Sequence, residues 1–337
     1  MLKMGVIGCG WAGEHHAEAI LTLRKLARIT AICDYDQAAL NERGEAWGVE
    51  SRYADYRQLL ARAEVDALSI CTPHDLHAEM AIAAAEAGKH ILVEKPLART
   101  LDEADAMIDA AEKAGVVLMV AENVRFNSYY LKAKELIDDG YLGDIFLVYI
   151  SRMEMARREL LDRPWFLDAR RAGGGIMMSG GVHDFEAMRM LAGEVKEVFA
   201  YQAKKTFPEM QGDDTSVAVI GFEDGTAGVL MESFSANALK AHNTVEIYGS
   251  LGSLKTDIYG PRLISLYSEK LQNLPGRARV EITVPEGDTF VAEMSHFIDC
   301  VAHGQVPTTS GAEERKPLAA VLAAYESMDV GRRITLP

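Results

Sequence analysis

A glycine pattern near the start of the chain constrains the fold more than any other feature. A GxGxxG spacing directly follows a short apolar run, Lys3 to Ile7, and opens a helical pattern. A strand, a tight glycine turn and a helix in this order are typical of a dinucleotide site, where the helix N-terminus faces a pyrophosphate. The alternative is a glycine turn that binds no ligand. The candidate ligand contacts in this turn are Gly8, Gly10, Trp11, Ala12 and Gly13.

An acidic residue at the end of the next strand candidate supports the dinucleotide interpretation. Asp34 follows the run Ile29 to Cys33 and lies about 20 residues beyond the glycines, where a carboxylate can bind a ribose 2′-hydroxyl. The same carboxylate would repel a 2′-phosphate at ~5 Å by roughly 3 kcal/mol per unit charge at an effective dielectric of about 20. We therefore expect NAD as the cofactor, with NADP left open because a cation from a distant loop could compensate. Asp36 is expected to cap a helix.

The first 120 residues alternate between short apolar strands and alanine-rich helices. This alternation predicts a parallel sheet that is covered by helices on both faces. Thr100 and Gly115 are expected to begin and end one of these helices. The strand candidates are Lys3 to Ile7, Ile29 to Cys33, Ala67 to Cys71, His90 to Val93 and Val116 to Val120.

Beyond about Arg125 the strands follow one another with turn residues between them, which indicates an antiparallel sheet. The predicted fold is α/β, with an N-terminal Rossmann parallel sheet and a C-terminal α+β domain built on an open, mainly antiparallel sheet. We expect a dinucleotide-binding domain over residues 1–123 and a substrate-binding and oligomerisation domain over residues 124–337. The last helix candidate, Pro317 to Met328, could pack on either domain.

Composition narrows the possible partners. The chain has 35 basic and 50 acidic residues and a formal charge of −15, which disfavours nucleic acid and anionic membranes as partners. We find neither a signal peptide nor a run of ~18 apolar residues that could span a membrane. Four cysteines without CxxC spacing are typical of reduced core thiols. We therefore expect a cytoplasmic protein that acts on a small molecule.

Six sequence pieces, in order, carry a resemblance to a known family. They are GVIGCGWAG, the CTP of ICTPHDLHAEMAIAAAEAGKHILVEKPLART, the EKP of the same segment, ENVRF, GGGIMMSGGVHDFE and MSHFIDCVAHGQVP. Together they resemble the Gfo/Idh/MocA family of NAD(P)-dependent oxidoreductases over nearly the whole chain. The resemblance implies a dehydrogenase that acts on CH–OH groups.

The EKP tripeptide is where the resemblance implies catalysis. Lys95 would lie near the nicotinamide, where its ammonium can orient the substrate hydroxyl and stabilise negative charge on its oxygen. Glu94 would be the counter-charge of Lys95 or a contact on the nicotinamide side. The resemblance also implies a cis Lys95–Pro96 bond.

The residues after the third strand candidate are also expected near the cofactor. By the resemblance, Thr72 and Pro73 line the cofactor cleft. His77 is either a cofactor contact or a helix-cap residue. His74 and His77 lack carboxylate or cysteine partners in sequence, so we expect no metal site.

The glycine-rich segment from Gly173 to Glu186 resembles the family motif GGGxLxDxGxHxxD. His183 matches the histidine of this motif and is the candidate base, because a neutral imidazole can accept the hydroxyl proton. Ser179 takes the place of the usual aspartate, which puts the substrate class and the strength of the base in question. We expect a structural role for Asp184.

Further substrate contacts are expected from the rest of the second domain. Asn123 and Arg125 of ENVRF are site candidates by the resemblance. Six arginines and four acids lie between Arg152 and Arg171, either as a solvated helix face or as a mouth that attracts a carboxylated or phosphorylated substrate. Trp165 in this stretch is expected near the cleft or an interface.

These observations lead to a functional expectation with two alternatives. The leading hypothesis is hydride transfer between NAD and a secondary alcohol of a sugar, polyol or related hydroxylated acid. The first alternative is a redox-neutral, NAD-dependent enzyme that cleaves glycosides, and the second is a non-catalytic NAD-sensing regulator. The resemblance also implies a homodimer or homotetramer formed through the open sheet.

Overall fold

A computed structural model of the chain describes residues 1–156, 160–236, 241–271 and 279–336. The chain forms two compact units, the first from Met1–Asn123 and Asp288–Lys316 and the second from Val124–Gly287 and Pro317–Pro337. This corrects the expected division at residue 123, because residues 288–316 group with the first unit.

The strands of the first unit are β1 Leu2–Ile7, β2 Ala27–Cys33, β3 Arg52–Tyr53, β4 Ala67–Ile70, β5 His90–Glu94 and β6 Leu118–Ala121. Those of the second unit are β7 Ile145–Met153, β8 Val195–Ala203, β9 Thr215–Phe222, β10 Ala227–Ser233, β11 His242–Gly249, β12 Gly252–Asp257, β13 Leu263–Ser268, β14 Val280–Thr283 and β15 Ile334–Thr335.

The helices are α1 Trp11–Thr22, α2 Gln37–Ala46, α3 Tyr56–Arg62, α4 His77–Glu86, α5 Leu101–Ala114, α6 Ser128–Asp138, α7 Pro164–Leu167, α8 Ala169–Ala172, α9 Ile176–Ser179, α10 Gly181–Ala192, α11 Thr289–His303 and α12 Gly311–Val330. Short 3-10 helices cover His74–Leu76, Asn123–Phe126 and Glu269–Leu271.

The first unit contains a six-stranded, wholly parallel sheet in the order β3-β2-β1-β4-β5-β6. This is the doubly wound order of a dinucleotide-binding fold, so the prediction for the N-terminal sheet is confirmed. β4 and β6 are buried along their whole length, as expected for strands with helices on both faces. Thr100 caps α5 and Gly115 ends it in the left-handed conformation, as predicted.

Helix α11 explains why the chain returns to the first unit. It packs on α1 and buries Met294, Phe297 and Ile298 along one face. Asp288 starts the helix by accepting hydrogen bonds from the N–H groups of Phe290 and Val291. An amphipathic helix buries its apolar face wherever a matching apolar surface exists, and here that surface belongs to the first unit.

The second unit contains a nine-stranded sheet in the order β14-β13-β12-β11-β7-β10-β9-β8-β15. Every described pair is antiparallel except β7 with β10, which confirms the predicted mainly antiparallel sheet. Helix α10 packs on β7 and β10. The region expected to be helical from Pro164 to Met190 is divided into four helices. Asp168 ends α7 and caps α8. Gly173 and Gly174, with positive φ angles of 81° and 158°, separate α8 from α9, and Gly180 separates α9 from α10.

Within the described parts of the chain, no helix is both long and apolar enough to cross a membrane.

Candidate functional site

The glycine turn after β1 leaves its backbone open to a ligand at one position and packs tightly at two others. A Cβ atom on Gly8, which has a φ of +90°, would lie 2.4 Å from the carbonyl oxygen of Cys71. A Cβ atom on Gly13 would lie 1.9 Å from the carbonyl oxygen of Gly8. Around Gly10, in contrast, no heavy atom lies within 4 Å of such a Cβ. The turn therefore has the space and the helix N-terminus that a pyrophosphate requires.

Trp11 and Ala12 form the first turn of α1 beside this open backbone. Trp11 is 55% exposed. Its ring lies 4.3 Å from the ring of His15 and 6.0 Å from the ring of Phe290. An exposed aromatic side chain thus lies at the N-terminus of α1.

Asp34 is held at the end of β2 by two backbone N–H groups. Its Oδ2 accepts a hydrogen bond from the N–H of Cys9 at 2.7 Å, and its Oδ1 accepts one from the N–H of Asp36 at 2.9 Å. Each carboxylate oxygen has a second lone pair, so the group can still accept hydrogen bonds from ribose hydroxyls. Asp36 caps α2 through the N–H groups of Ala38 and Ala39, as predicted. Asp34 and the glycine turn together fit a dinucleotide.

His77 occupies the interior behind Thr72 and Pro73, which follow β4. The ring is fully buried, and its Nδ1 and Nε2 each lie 2.9 Å from a carbonyl oxygen, those of Pro96 and Thr72 respectively. Burial lowers the pKa of His77, and the contacts with the two carbonyls act in the opposite direction. His77 thus links the Thr72 turn with the EKP turn, and its role as a cofactor contact or a helix-cap residue stays a prediction.

The EKP turn at the end of β5 is tied to the interior through its glutamate. The Lys95–Pro96 bond is cis, as the resemblance implied. The N–H of Lys95 donates to Oε2 of Glu94 at 3.1 Å, while Oε1 of Glu94 lies 3.0 Å from Nε2 of His16. Glu94 was expected as the counter-charge of Lys95 or as a contact on the nicotinamide side, and its contact with His16 was not predicted.

The sequence interpretation missed His16, a fully buried imidazole on α1. Its Nδ1 lies 2.7 Å from the Oγ of Ser69. Burial alone would lower the pKa of His16, but the contacts with Cys71 and Glu94 outweigh it and raise the pKa well above its usual range. The buried Oε1 of Glu293 lies 3.9 Å from the same ring, and burial raises the pKa of Glu293. The sequence signal that could have identified His16 is a polar residue among the apolar positions of α1.

In the second unit, the glycine-rich segment is held by Asp213 and Tyr325, which were not predicted from the sequence. The carboxylate of Asp213 accepts hydrogen bonds from the N–H groups of Gly175 and Met177, both at 3.0 Å. The hydroxyl of Tyr325 donates to Asp213 at 2.7 Å and accepts from the N–H groups of Gly175 and Met178. These bonds position α9, whose last residue is the buried Ser179, and the start of α10.

His183 lies half-buried in the first turn of α10, and the next residue anchors that turn. Asp184 is fully buried and makes a two-point ion pair with Arg152, with Nε–Oδ2 at 2.9 Å and Nη2–Oδ1 at 2.7 Å. The structural role expected for Asp184 is therefore confirmed. The expected substrate contact at Arg152 stays a prediction, and its guanidinium is bound at two points by Asp184.

Glu232 of β10 completes this buried cluster. Both carboxyl oxygens are buried, and neither has a hydrogen-bond partner among the described residues. Oε1 and Oε2 would lie 2.7 and 2.9 Å from Cβ atoms on Gly180 and Gly181, so the glycine pair makes room for the carboxyl group. Burial, followed by the charge of Asp184, raises the pKa of Glu232 well above its usual range. A buried carboxyl group with a raised pKa therefore lies beside the glycine pair that precedes His183.

Two of the remaining candidate residues, Arg125 and Trp165, contact other side chains of the second unit. The Nη1 of Arg125 lies 3.2 Å from Oε1 of the buried Glu186. Trp165 packs against an apolar cluster of the second unit and contacts the ring of Phe166 at 5.4 Å. Asn123 is half-buried at the start of a 3-10 helix. Arg157 and Arg158 of the expected positive stretch lie outside the described residues.

No group of three or more histidine, cysteine, aspartate or glutamate side chains among the described residues is arranged to hold a metal ion.

Comparisons with known proteins agree with these features. Residues 2–122 match the family profile described as an oxidoreductase family with an NAD-binding Rossmann fold, and residues 130–255 match the GFO/IDH/MocA C-terminal domain. Myo-inositol 2-dehydrogenase of Thermotoga maritima is 32% identical over 99% of this chain and 98% of its own length. D-apiose dehydrogenase of Paraburkholderia graminis is 29% identical over 99% of this chain and 89% of its own.

Among solved structures, levoglucosan dehydrogenase in complex with NADH and L-sorbose superimposes with a TM-score of 0.90 at 26% identity, covering 100% of this chain and 99% of that one. The full-length matches and the NAD-binding geometry lead to the same assignment. The chain belongs to the Gfo/Idh/MocA family of oxidoreductases, whose N-terminal domain is an NAD-binding Rossmann fold.

Proposed function

We propose that this protein is an NAD-dependent dehydrogenase that oxidises a secondary alcohol of a sugar, a polyol or a related hydroxylated acid. The observation that carries the proposal is the glycine turn with its open backbone at Gly10 and the oriented carboxylate of Asp34. The chain also keeps Lys95 and His183, the groups that such a reaction needs. The inositol, apiose and levoglucosan dehydrogenases among its relatives support the substrate class.

Each proposed role follows from the chemistry of the side chain. Bound NAD supplies the acceptor for the hydride of the substrate carbon. Asp34 accepts hydrogen bonds from the ribose hydroxyls. The ammonium of Lys95 orients the substrate hydroxyl and stabilises negative charge on its oxygen, and the imidazole of His183 accepts the hydroxyl proton. Further proposed cofactor contacts are Gly8, Trp11, Ala12, Gly13, Thr72, Pro73, Glu94 and Asn123.

The charges of the second unit favour a neutral polyhydroxylated substrate. Arg152 is neutralised by Asp184, Arg125 contacts Glu186, and Arg170 is paired with Asp168. An arginine that is already paired attracts a carboxylate or phosphate less strongly. Among the residues predicted to contact the substrate, we retain Ser179 beside Lys95 and His183, because a hydroxyl can both donate to and accept from a sugar hydroxyl.

The test is NADH formation at 340 nm with the purified protein, NAD or NADP, and a panel of polyols, aldoses, uronic acids and hydroxy acids. With the substrate identified, Lys95→Ala and His183→Ala should each lower kcat by about 10²–10⁴-fold. Lys113→Ala, which changes an exposed lysine at the end of α5, is the matched control and should leave kcat unchanged.

Two results would contradict the proposal. NAD that stays bound through purification, together with glycoside cleavage and no net NADH, would indicate the redox-neutral reaction. NAD binding without any turnover, and partner binding that does not depend on Lys95, would indicate a sensor.

We also propose a homodimer or homotetramer that forms through the open face of the nine-stranded sheet. Phe199, Tyr201 and Val219 on that face are 44%, 72% and 52% exposed. Neighbouring exposed apolar side chains are typical of a protein interface. We propose the cytoplasm as the compartment, because all four cysteines are free thiols, as is usual in a reducing environment. Sedimentation equilibrium tests the stoichiometry, and Tyr201→Glu should shift it toward the monomer.

A further inference from the structure

The dinucleotide-binding unit contains an arginine on α2, Arg43, that is paired with a glutamate on α1, Glu14. We propose that Glu14 is a specificity-determining residue that keeps the enzyme selective for NAD by holding Arg43 in an ion pair. This inference rests on the proposed function, since it concerns the cofactor of that reaction. It adds to the repulsion between Asp34 and a 2′-phosphate, because Glu14 binds the arginine that could otherwise offset that repulsion.

Arg43 and Glu14 form a two-point contact between α2 and α1. Nη1 of Arg43 lies 2.5 Å from Oε1 of Glu14, and Nη2 lies 3.0 Å from Oε2. The side chains are 26% and 31% exposed, so solvent screens this pair only in part. A planar guanidinium that is bound by both carboxylate oxygens has little charge left for a second anion.

The pair lies beside the residues that bind the cofactor. The N–H of Glu14 donates to the carbonyl of Gly10 at 2.9 Å, which places Glu14 one turn into α1 from the open backbone. Burial and the charge of Asp34 raise the pKa of Cys9 to about 12, and Arg43 acts on the same thiol in the opposite direction. The N–H of Cys9 is the donor to Asp34. Arg43 is thus tied through Glu14 to the helix that begins at the open backbone of Gly10.

Arg52, the arginine of β3, makes its hydrogen bonds to backbone carbonyls. Nε of Arg52 donates to the carbonyl of Val49 at 2.9 Å, and its guanidinium covers Gly44, where a Cβ would lie 2.1 Å from Nε. Those contacts close the end of α2. Arg43 is thus the arginine that removal of a single carboxylate would release.

The physical consequence differs for the two cofactors. The ribose hydroxyls of NAD need acceptors, which Asp34 supplies whether or not Arg43 is paired. A 2′-phosphate needs a cation to offset its repulsion by Asp34, and a guanidinium without its carboxylate can bind a phosphate at two points. Loss of the Glu14 charge should therefore favour NADPH and leave NADH binding nearly unchanged.

The experiment measures the Kd of NADH and of NADPH by tryptophan fluorescence and by calorimetry, without substrate. The variants are Glu14→Gln, Arg43→Ala and the double variant. Glu14→Gln should lower the Kd of NADPH about tenfold, which corresponds to about 1.4 kcal/mol, and change the Kd of NADH by less than about twofold. Arg43→Ala should show no gain, and the double variant should lose the gain of Glu14→Gln. Glu79→Gln, which breaks the ion pair with Arg57 in the same unit, is the matched control.

The outcomes separate this inference from the proposed function. If the wild-type protein binds NADH and Glu14→Gln leaves the NADPH Kd unchanged, the role of Glu14 is refuted while the dehydrogenase remains. A gain that persists in the double variant, or that also occurs in Glu79→Gln, refutes the role of Arg43. If the wild-type protein binds neither cofactor, the proposed function fails and this inference fails with it.

Discussion

Glu232→Gln should increase the stability of the protein at neutral pH, because it replaces a buried ionisable side chain with a neutral one of similar size. In the folded chain the carboxyl group of Glu232 is fully buried at the glycine pair before His183, and 3.9 Å separates its Oε1 from Nε of Arg152. Arg152 is already bound at two points by Asp184. Burial and then the charge of Asp184 raise the pKa of Glu232, and they outweigh the more distant Arg152, which lowers it.

The size of the effect follows from proton linkage. A glutamate in the unfolded chain has a pKa of about 4.3, so folding at pH 7 requires proton uptake that costs at most about 1.4 kcal/mol for each of ~2.7 pH units, or about 3.7 kcal/mol. The pKa of Glu232 is higher in the folded chain than in the unfolded chain. Its contribution to the free energy of unfolding is therefore fully present at a pH below the pKa of the unfolded chain. It is lost as pH rises toward the folded pKa. Glutamine is neutral at every pH and avoids this cost.

The assay is urea denaturation of the full chain between pH 5 and pH 8. Glu232→Gln should be more stable than the wild type by at least about 1 kcal/mol at pH 7, and the difference should shrink toward pH 5. Glu223→Gln, at an exposed turn position of the same unit, is the control and should change neither stability nor slope. A Glu232→Gln protein that is no more stable than the wild type at pH 7, or whose advantage does not depend on pH, would refute the raised pKa of Glu232 in the folded chain.

Three further substitutions test other parts of the structure. Gly13→Ala places a methyl group 1.9 Å from a carbonyl oxygen, so it should cost about 1–3 kcal/mol and weaken NADH binding; an unchanged melting temperature and Kd would contradict the tight packing. Tyr325→Phe leaves two buried N–H groups with fewer acceptors and should lower the unfolding free energy by about 1–3 kcal/mol in urea. Arg152→Met leaves Asp184 as an unpaired buried carboxylate and should cost about 3–5 kcal/mol, part of which the double variant with Asp184→Leu should restore.

Features that depend on neighbours along the chain could be predicted from the sequence. The glycine spacing, the cap at Asp36 and the five longer parallel strands follow from turn chemistry and from the period of apolar residues, which act over a few positions. β3 was missed because a strand of two residues has no period to detect. The division of the region around α7 to α10 was missed because its glycines were assigned to a motif and not to helix ends.

The partners of charged and polar side chains could not be predicted in the same way. Arg152 was expected to face the substrate, and its ion pair with Asp184, 32 positions away, was not predicted. His77 was a candidate for the cofactor, and its position between two backbone carbonyls was not predicted. In both cases the sequence shows a group that can bind an anion or a ligand, and only the folded chain shows which group reaches it first.

The sequence by itself thus determined the class of the first sheet, the place of the dinucleotide turn and the identity of Lys95 and His183 as candidates. The tertiary structure decided that α11 belongs to the first unit, that His16 lies against Glu94, and that burial raises the pKa of Glu232. The physical reason is that local backbone preferences are encoded over a few residues. Desolvation and ion pairing, in contrast, depend on side chains that only folding brings together.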